Sequence, residues 1–117
     1  RHARLYSGLP NLTVEVCDSR EEGLREADAQ IPGVRWWLNF AEAVQSKPDY
    51  VLIATPHPLH AEMACAALQA GIPVLCEKPM SHQLQEAEKM SSVARAAGVP
   101  LAIGFHLRFH PSVDRLR

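Results

Sequence analysis

The sequence predicts an α/β protein built on a doubly wound parallel sheet, and three observations predict it. In the second half, the apolar runs Tyr50 to Ala54, Pro73 to Cys76 and Leu101 to Phe105 are separated by stretches with a helical apolar period. The junction from helix to strand is used twice, as Ala70-Gly71-Ile72-Pro73-Val74-Leu75 and again as Ala97-Gly98-Val99-Pro100-Leu101-Ala102. Polar and ionisable residues follow each strand, as expected at the ligand-binding edge of such a sheet. Strands and helices alternating in this way make right-handed βαβ units.

Taken in order, Arg1 to Leu9 reads as the tail of a helix, with Leu5 and Leu9 on one face. Leu12 to Cys17 alternates as a strand and ends on Asp18. Ser19 to Gln30 is a polar helix. Val34 to Leu38 is an edge strand whose two tryptophans face opposite ways. Phe40 to Ser46 is a short helix capped by Asn39. Tyr50 to Ala54 reads as a fully buried strand between Pro48-Asp49 and Pro56. A helix from Pro58 to Ala70 has Leu59, Met63, Ala66, Ala67 and Ala70 as its apolar face, with Gly71 as the residue that ends it. After the strand at Pro73 to Cys76, Ser81 is the expected N-cap of a helix that buries Leu84, Ala87, Met90, Ala94 and Ala97 and closes at Gly98.

The 117 residues suit one domain. With 47% hydrophobic residues, 21% charged residues and a net charge of −1, the composition is that of an ordinary globule. No basic block supports a nucleic-acid surface, and no apolar run approaches the length of a membrane span. No signal peptide opens the chain, so a cytoplasmic protein is expected. The chain begins at Arg1 rather than Met, as a piece of something longer would. Cys17, Cys65 and Cys76 are odd in number, form no C-x-x-C pair and sit among apolar neighbours, which predicts small core residues rather than a disulfide framework.

The candidate site lies where the strands end. Asp18-Ser19-Arg20 follows the first strand, Thr55-Pro56-His57 the third, Glu77-Lys78-Pro79 the fourth and His106-Leu107-Arg108 the fifth. Strand ends become polar in any case, because loops are solvated; four on one edge favour a site. A carboxylate at the position of Asp18 accepts hydrogen bonds from the adenosine ribose of a dinucleotide. Its plainer role is to cap the next helix, but Ser19 could do that and leave Asp18 for a ligand. Arg20 could instead hold a 2′-phosphate. Pro79 pushes Lys78 towards an extended conformation, so Glu77 and Lys78 project to opposite sides. One can face a cofactor and the other a reacting carbon. A lysine partly removed from water serves as acid or base, and a charged one stabilises a developing alkoxide. The plainer alternative is a surface ion pair of little worth. His57-x-x-His60 and His106-x-x-x-His110 have metal-like spacing, but no carboxylate or cysteine cluster completes a site, so no metal is expected. His60 falls in the first helical turn, where it can bond a neighbouring loop.

These residues together resemble a known family. Asp49-Tyr-Val-Leu-Ile-Ala-Thr-Pro56, His60, Ala67-Leu-x-Ala-Gly71, Val74-Leu-Cys-Glu-Lys-Pro79 and Gly104-Phe-x-x-Arg-Phe-x-Pro111 are similar to the Gfo/Idh/MocA oxidoreductases, which include glucose–fructose oxidoreductase and inositol dehydrogenases. The resemblance implies that residues 1–117 are part of an NAD(P)-binding Rossmann domain. The family's first strand and G-x-G-x-x-G turn would precede Arg1, and its substrate domain would follow Arg117. It implies an NAD(P)-dependent oxidoreductase acting on a sugar, polyol or related hydroxyl or carbonyl compound, homo-oligomeric at full length. Ala54, Thr55, Pro56 and His57 would line the cofactor's path, with His60 supporting that loop. Glu77 would lie near the nicotinamide ribose, Lys78 would be the catalytic or substrate-binding lysine at the cofactor, and Arg108 would lie close to the nicotinamide and substrate. His106 stands where the family carries asparagine. With Asp18, Ser19 and Arg20 at the adenosine end, NAD is favoured over NADP. The 117 residues by themselves are expected to be inactive. The competing reading is a non-catalytic nucleotide-binding or regulatory module; a response-regulator-like domain is disfavoured, because clustered acidic residues are missing.

Overall fold

A computed structural model describes residues 2–115, with the side chains of residues 107, 108, 113 and 114 excepted. The chain forms two compact units, Arg1–Ser46 and Lys47–Arg117.

The first unit holds α1 (His2–Tyr6), β1 (Glu15–Cys17), α2 (Glu21–Gln30), β2 (Arg35–Trp37) and α3 (Phe40–Gln45). Strands β1 and β2 pair in parallel, with Glu15 opposite Arg35 and Cys17 opposite Trp37. Side chains reinforce that register. The Trp37 indole N–H donates to Glu15 Oε2 at 2.7 Å, Arg35 Nη1 donates to Oε1 at 3.4 Å, and the guanidinium lies 4.4 Å above the Trp37 ring. Trp36, the alternate residue, is half exposed. Helix α2 is polar as expected and buries only Leu24. Asn39 caps α3, its Oδ1 accepting the Ala41 N–H at 2.8 Å. Helix α1 is shorter than expected, and Leu5 and Leu9 are both exposed rather than forming a packed face.

The second unit holds β3 (Val51–Ile53), a 3₁₀ turn at His57–Leu59, α4 (His60–Gln69), β4 (Val74–Cys76), α5 (Leu84–Ala97), β5 (Leu101–Ile103), a 3₁₀ turn at His106–Phe109 and α6 (Pro111–Asp114). The strands form a parallel sheet in the order β3-β4-β5. Ile53, Cys76 and Ile103 lie in register. Ile53, Val74 and Cys76 are buried together with Ala64, Ala67 and Leu68 of α4 and Met90 and Ala94 of α5. Leu52, Leu75 and Ala102 form the register row on the opposite face and are only partly covered or exposed. The strand expected to be fully buried is therefore buried on one face, because β-strand side chains alternate between faces.

Two helical readings change. Helix α4 buries His60, Ala61, Ala64, Cys65, Ala67 and Leu68, while Leu59, Ala66 and Ala70 are exposed. The helix packs on both the sheet and α5, so its buried arc is wider than one stripe and rotated from the expected one. The N-cap position of helix α5 is Gln83, not Ser81, with no capping bond from the Gln83 side chain, and the helix's end residues Leu84 and Ala97 are exposed. Ser81 instead braces the turn before it, accepting the Gln83 N–H at 3.0 Å while its hydroxyl donates to the Glu86 carboxylate. The repeated junction behaves as read: Gly71 and Gly98 take φ of 79° and 67°, which side chains disfavour.

All three cysteines are free thiols. Burial pushes Cys76 up to about 11, with the neighbouring Glu77 carboxylate adding to the shift. Native protein treated with iodoacetamide at pH 8 should leave Cys76 unmodified. The buried thiol contributes fully below the ordinary 9.0, and that contribution is lost as pH rises towards about 11. Urea midpoints measured from pH 8 to 11 should fall, and Cys76→Ala should flatten the decline; an equally steep fall in the variant would contradict this.

Candidate functional site

The site residues are set by the ends of the strands, and the two units contribute separately. In the first unit, Asp18 follows β1. Its Oδ1 accepts the Arg20 backbone N–H at 2.9 Å and Arg20 Nε at 3.4 Å, and its Oδ2 accepts Nη2 at 3.3 Å. The Arg20 backbone N–H holds the carboxyl below the usual carboxylate range, partial burial opposes this, and the guanidinium adds to the lowering. The carboxylate is thus ionised at neutral pH, and its side chain keeps 30% of its surface open. Ser19 does not cap α2. The expectation that Ser19 would release Asp18 from local bonding is corrected: Asp18 makes the turn itself, because its short side chain reaches the N–H two residues on.

Gly23 was not singled out in the sequence, and it makes room for that carboxylate. A Cβ at Gly23 would lie 2.3 Å from Asp18 Oδ2 and 2.7 Å from Cγ. The only signal in the sequence is a glycine inside the opening turn of a helix, where it weakens the helix without an evident local reason.

In the second unit, three strand ends meet at one edge. The ladder runs one residue past the strands: Glu77 N–H donates to the Ile53 carbonyl at 2.9 Å, and Gly104 N–H to the Cys76 carbonyl at 2.8 Å. Ala54-Thr55-Pro56, Glu77-Lys78-Pro79 and Gly104-Phe105-His106 therefore leave the sheet side by side. Glu77 is half-buried. Its Oε2 accepts the Lys78 backbone N–H at 3.2 Å and would lie 3.2 Å from a Cβ at Gly104. Lys78 is exposed, and the Lys78-Pro79 peptide bond is cis. Glu77 and Lys78 thus differ in exposure. Thr55 is half-buried, its hydroxyl donating to Met63 Sδ at 3.5 Å. Ala54, Pro56 and His57 are exposed, as is His106.

His60 is fully buried at the start of α4, with Nε2 2.9 Å from the Thr55 carbonyl and Nδ1 3.0 Å from the Pro79 carbonyl. The His57 ring stands edge-on to it, 5.5 Å away between centroids. The Arg108 side chain lies outside the described residues. Among the described residues, no group of three His, Cys, Asp or Glu side chains could hold a metal ion, and no helix is long and apolar enough to cross a membrane.

An exposed lysine beside a half-buried carboxylate, at the C-terminal edge of a parallel sheet, can move a proton on a ligand lying across that edge. Comparison with known proteins shows the family. The family profile described as "Oxidoreductase family, NAD-binding Rossmann fold" matches residues 2–105. D-glucoside 3-dehydrogenase of Escherichia coli is 35% identical over 99% of this chain and 34% of its own length. Inositol 2-dehydrogenase of Leifsonia xyli is 33% identical over 100% of this chain and 34% of its own length. The crystal structure of the WlbA dehydrogenase of Bordetella pertussis in complex with NADH and UDP-GlcNAcA superposes with a TM-score of 0.81 at 30% identity, over 86% of this chain and 29% of that one. The chain thus spans about a third of the length of the curated relatives it matches.

Proposed function

This chain belongs to the Gfo/Idh/MocA oxidoreductase family, with an NAD-binding Rossmann fold, and we propose that the protein at its full natural length moves hydride between NAD and a sugar, polyol or related hydroxyl or carbonyl substrate. The observation that carries this reading is the meeting of the Thr55, Glu77-Lys78 and Gly104 segments at one sheet edge. The chemistry of the donors fits a dinucleotide. Asp18 is an ionised acceptor for the ribose hydroxyls, seated where a Cβ at Gly23 would intrude. Bound NAD supplies the hydride acceptor; the remaining work belongs to the protein.

In this reading Asp18, with Ser19 and Arg20 beside it, holds the adenosine end. Ala54, Thr55, Pro56 and His57 line the cofactor's path. Glu77 orients the nicotinamide ribose through its half-buried carboxylate. Lys78 Nζ takes the proton from the substrate hydroxyl as its carbon is oxidised, and returns it in the reverse direction. The protein works in the cytoplasm and acts as a homo-oligomer.

The test is a comparison of kcat/KM for NAD and NADP in the full-length protein over a panel of sugars and polyols. Asp18 repels a 2′-phosphate, so NAD should be preferred by at least about tenfold, about 1.4 kcal/mol. A preference for NADP would assign Arg20, not Asp18, the decisive contact. Dinucleotide binding with no turnover on any substrate would overturn the enzymatic reading in favour of a binding module.

A further inference from the structure

One buried imidazole touches two of the loops that carry the site. His60 sits in the first turn of α4 with none of its surface exposed. Nε2 faces the carbonyl of Thr55, five residues back on the loop that follows β3. Nδ1 faces the carbonyl of Pro79, nineteen residues on, in the loop that follows β4. Either neutral tautomer donates to one carbonyl and turns a lone pair to the other, whereas the doubly protonated ring donates to both. In every form the ring is wedged between two main-chain acceptors, and its planarity sets the distance between them. The carbonyls belong to Thr55 and to the residue directly after Lys78, so the ring's position is transmitted to both.

We propose that His60 is a positioning residue: it locks the Thr55 loop and the Lys78-Pro79 loop to one another through their main-chain carbonyls, so that cofactor path and proton-transferring lysine keep one geometry. This rests on the reading of Lys78 as the group that moves the proton. A ring buried for packing alone needs neither carbonyl, and a ring supporting one loop needs only one. Glutamine offers an N–H₂ and an oxygen, as a neutral imidazole offers an N–H and a lone pair, but it carries them on a flexible chain in place of a rigid ring, so it no longer fixes the distance between the two carbonyls. Phenylalanine keeps the bulk and loses both.

Two measurements on the full-length protein test this, in His60→Gln and His60→Phe. The first is backbone hydrogen–deuterium exchange. Peptides covering 54–57 and 77–81 should both exchange about tenfold faster or more, corresponding to a local opening made easier by about 1.4 kcal/mol, while the middle of α4 and of α5 stays protected. Acceleration in one loop alone, or throughout α4, overturns the proposal. The second is a double-mutant cycle in kcat. His60→Gln should lower kcat by about 10- to 100-fold through misplacement of the lysine, with KM for substrate changed much less. In a Lys78→Ala background that loss should vanish, because the residue acts through Lys78. An additive loss means that His60 serves only general stability and overturns the proposal. If the unmodified protein turns over no substrate, the enzymatic reading fails on its own, and the exchange measurement still decides whether His60 bridges the loops.

Discussion

Lys78→Ala in the full-length protein should lower kcat by about two to four orders of magnitude, the scale for loss of a positioned acid/base or charge-stabilising group. The affinity for NAD should change far less. The asymmetry follows from where the residue stands. Lys78 is exposed, so its side chain supports no core packing, and its removal leaves no cavity. Its backbone N–H, held by Glu77 Oε2, is untouched by truncation beyond Cβ. The loop therefore keeps its main-chain bonds, and what disappears is the ammonium at the edge of the sheet. Stopped-flow measurement of hydride transfer, beside fluorescence titration of NADH, separates chemistry from binding. A kcat within a few-fold of the unmodified protein would reduce Lys78 to a solvated surface charge. Lys78→Arg is the informative companion: it keeps the charge but cannot release a proton near neutral pH. Recovery by arginine would point to electrostatic stabilisation, and its absence to proton transfer.

Leu68→Ala should destabilise the fold by about 2–5 kcal/mol. Leu68 is fully buried in α4, in a core that also holds Ala64, Ala67, Met90 and Ile53. Much of the surrounding core is alanine, and an alanine side chain has no rotamers with which to close a gap. The hole left by three missing carbons therefore persists, which places the expected loss in the upper part of that range. Urea unfolding followed by circular dichroism gives the number. Loss below about 1 kcal/mol would mean that the α4–α5 contact relaxes inward and that the core is looser than its burial indicates. Met90→Leu, nearly conserving volume in the same layer, should cost less than about 1.5 kcal/mol and serves as the control.

Much of the architecture is legible locally. Gly71 and Gly98 could be read as helix-ending residues because a left-handed φ is a demand on residue type at a single position. Asn39 could be read as a cap for the same reason. Ser81 misled, because an Asx-like turn and an N-cap ask for the same kind of side chain, and only the chain path decides whether the bonded N–H belongs to the helix or to the turn before it. The buried arc of α4 also misled. Leu59 and Met63 are the bulkiest residues near its start, yet the helix buries Ala61, Ala64, Cys65, Ala67 and Leu68 and leaves Leu59 and Ala66 exposed, because it packs on both α5 and the sheet.

By itself the sequence determined the alternation of strand and helix, the strand-end positions of Asp18, Thr55, Glu77 and Lys78, and the resemblance that names the family. Each is a property of a short segment: a periodicity, a residue type that a bend requires, a motif read along the chain. Only the tertiary structure decided that Asp18 is bound by Arg20 and seated over Gly23, that the ladder sets three loops side by side, and that His60 spans two carbonyls separated from it by five and nineteen residues. Those facts depend on which atoms meet once the chain has folded back on itself. A donor's chemistry is written in its residue name, but the identity of its acceptor is set by packing, because any exposed carbonyl would satisfy it equally well.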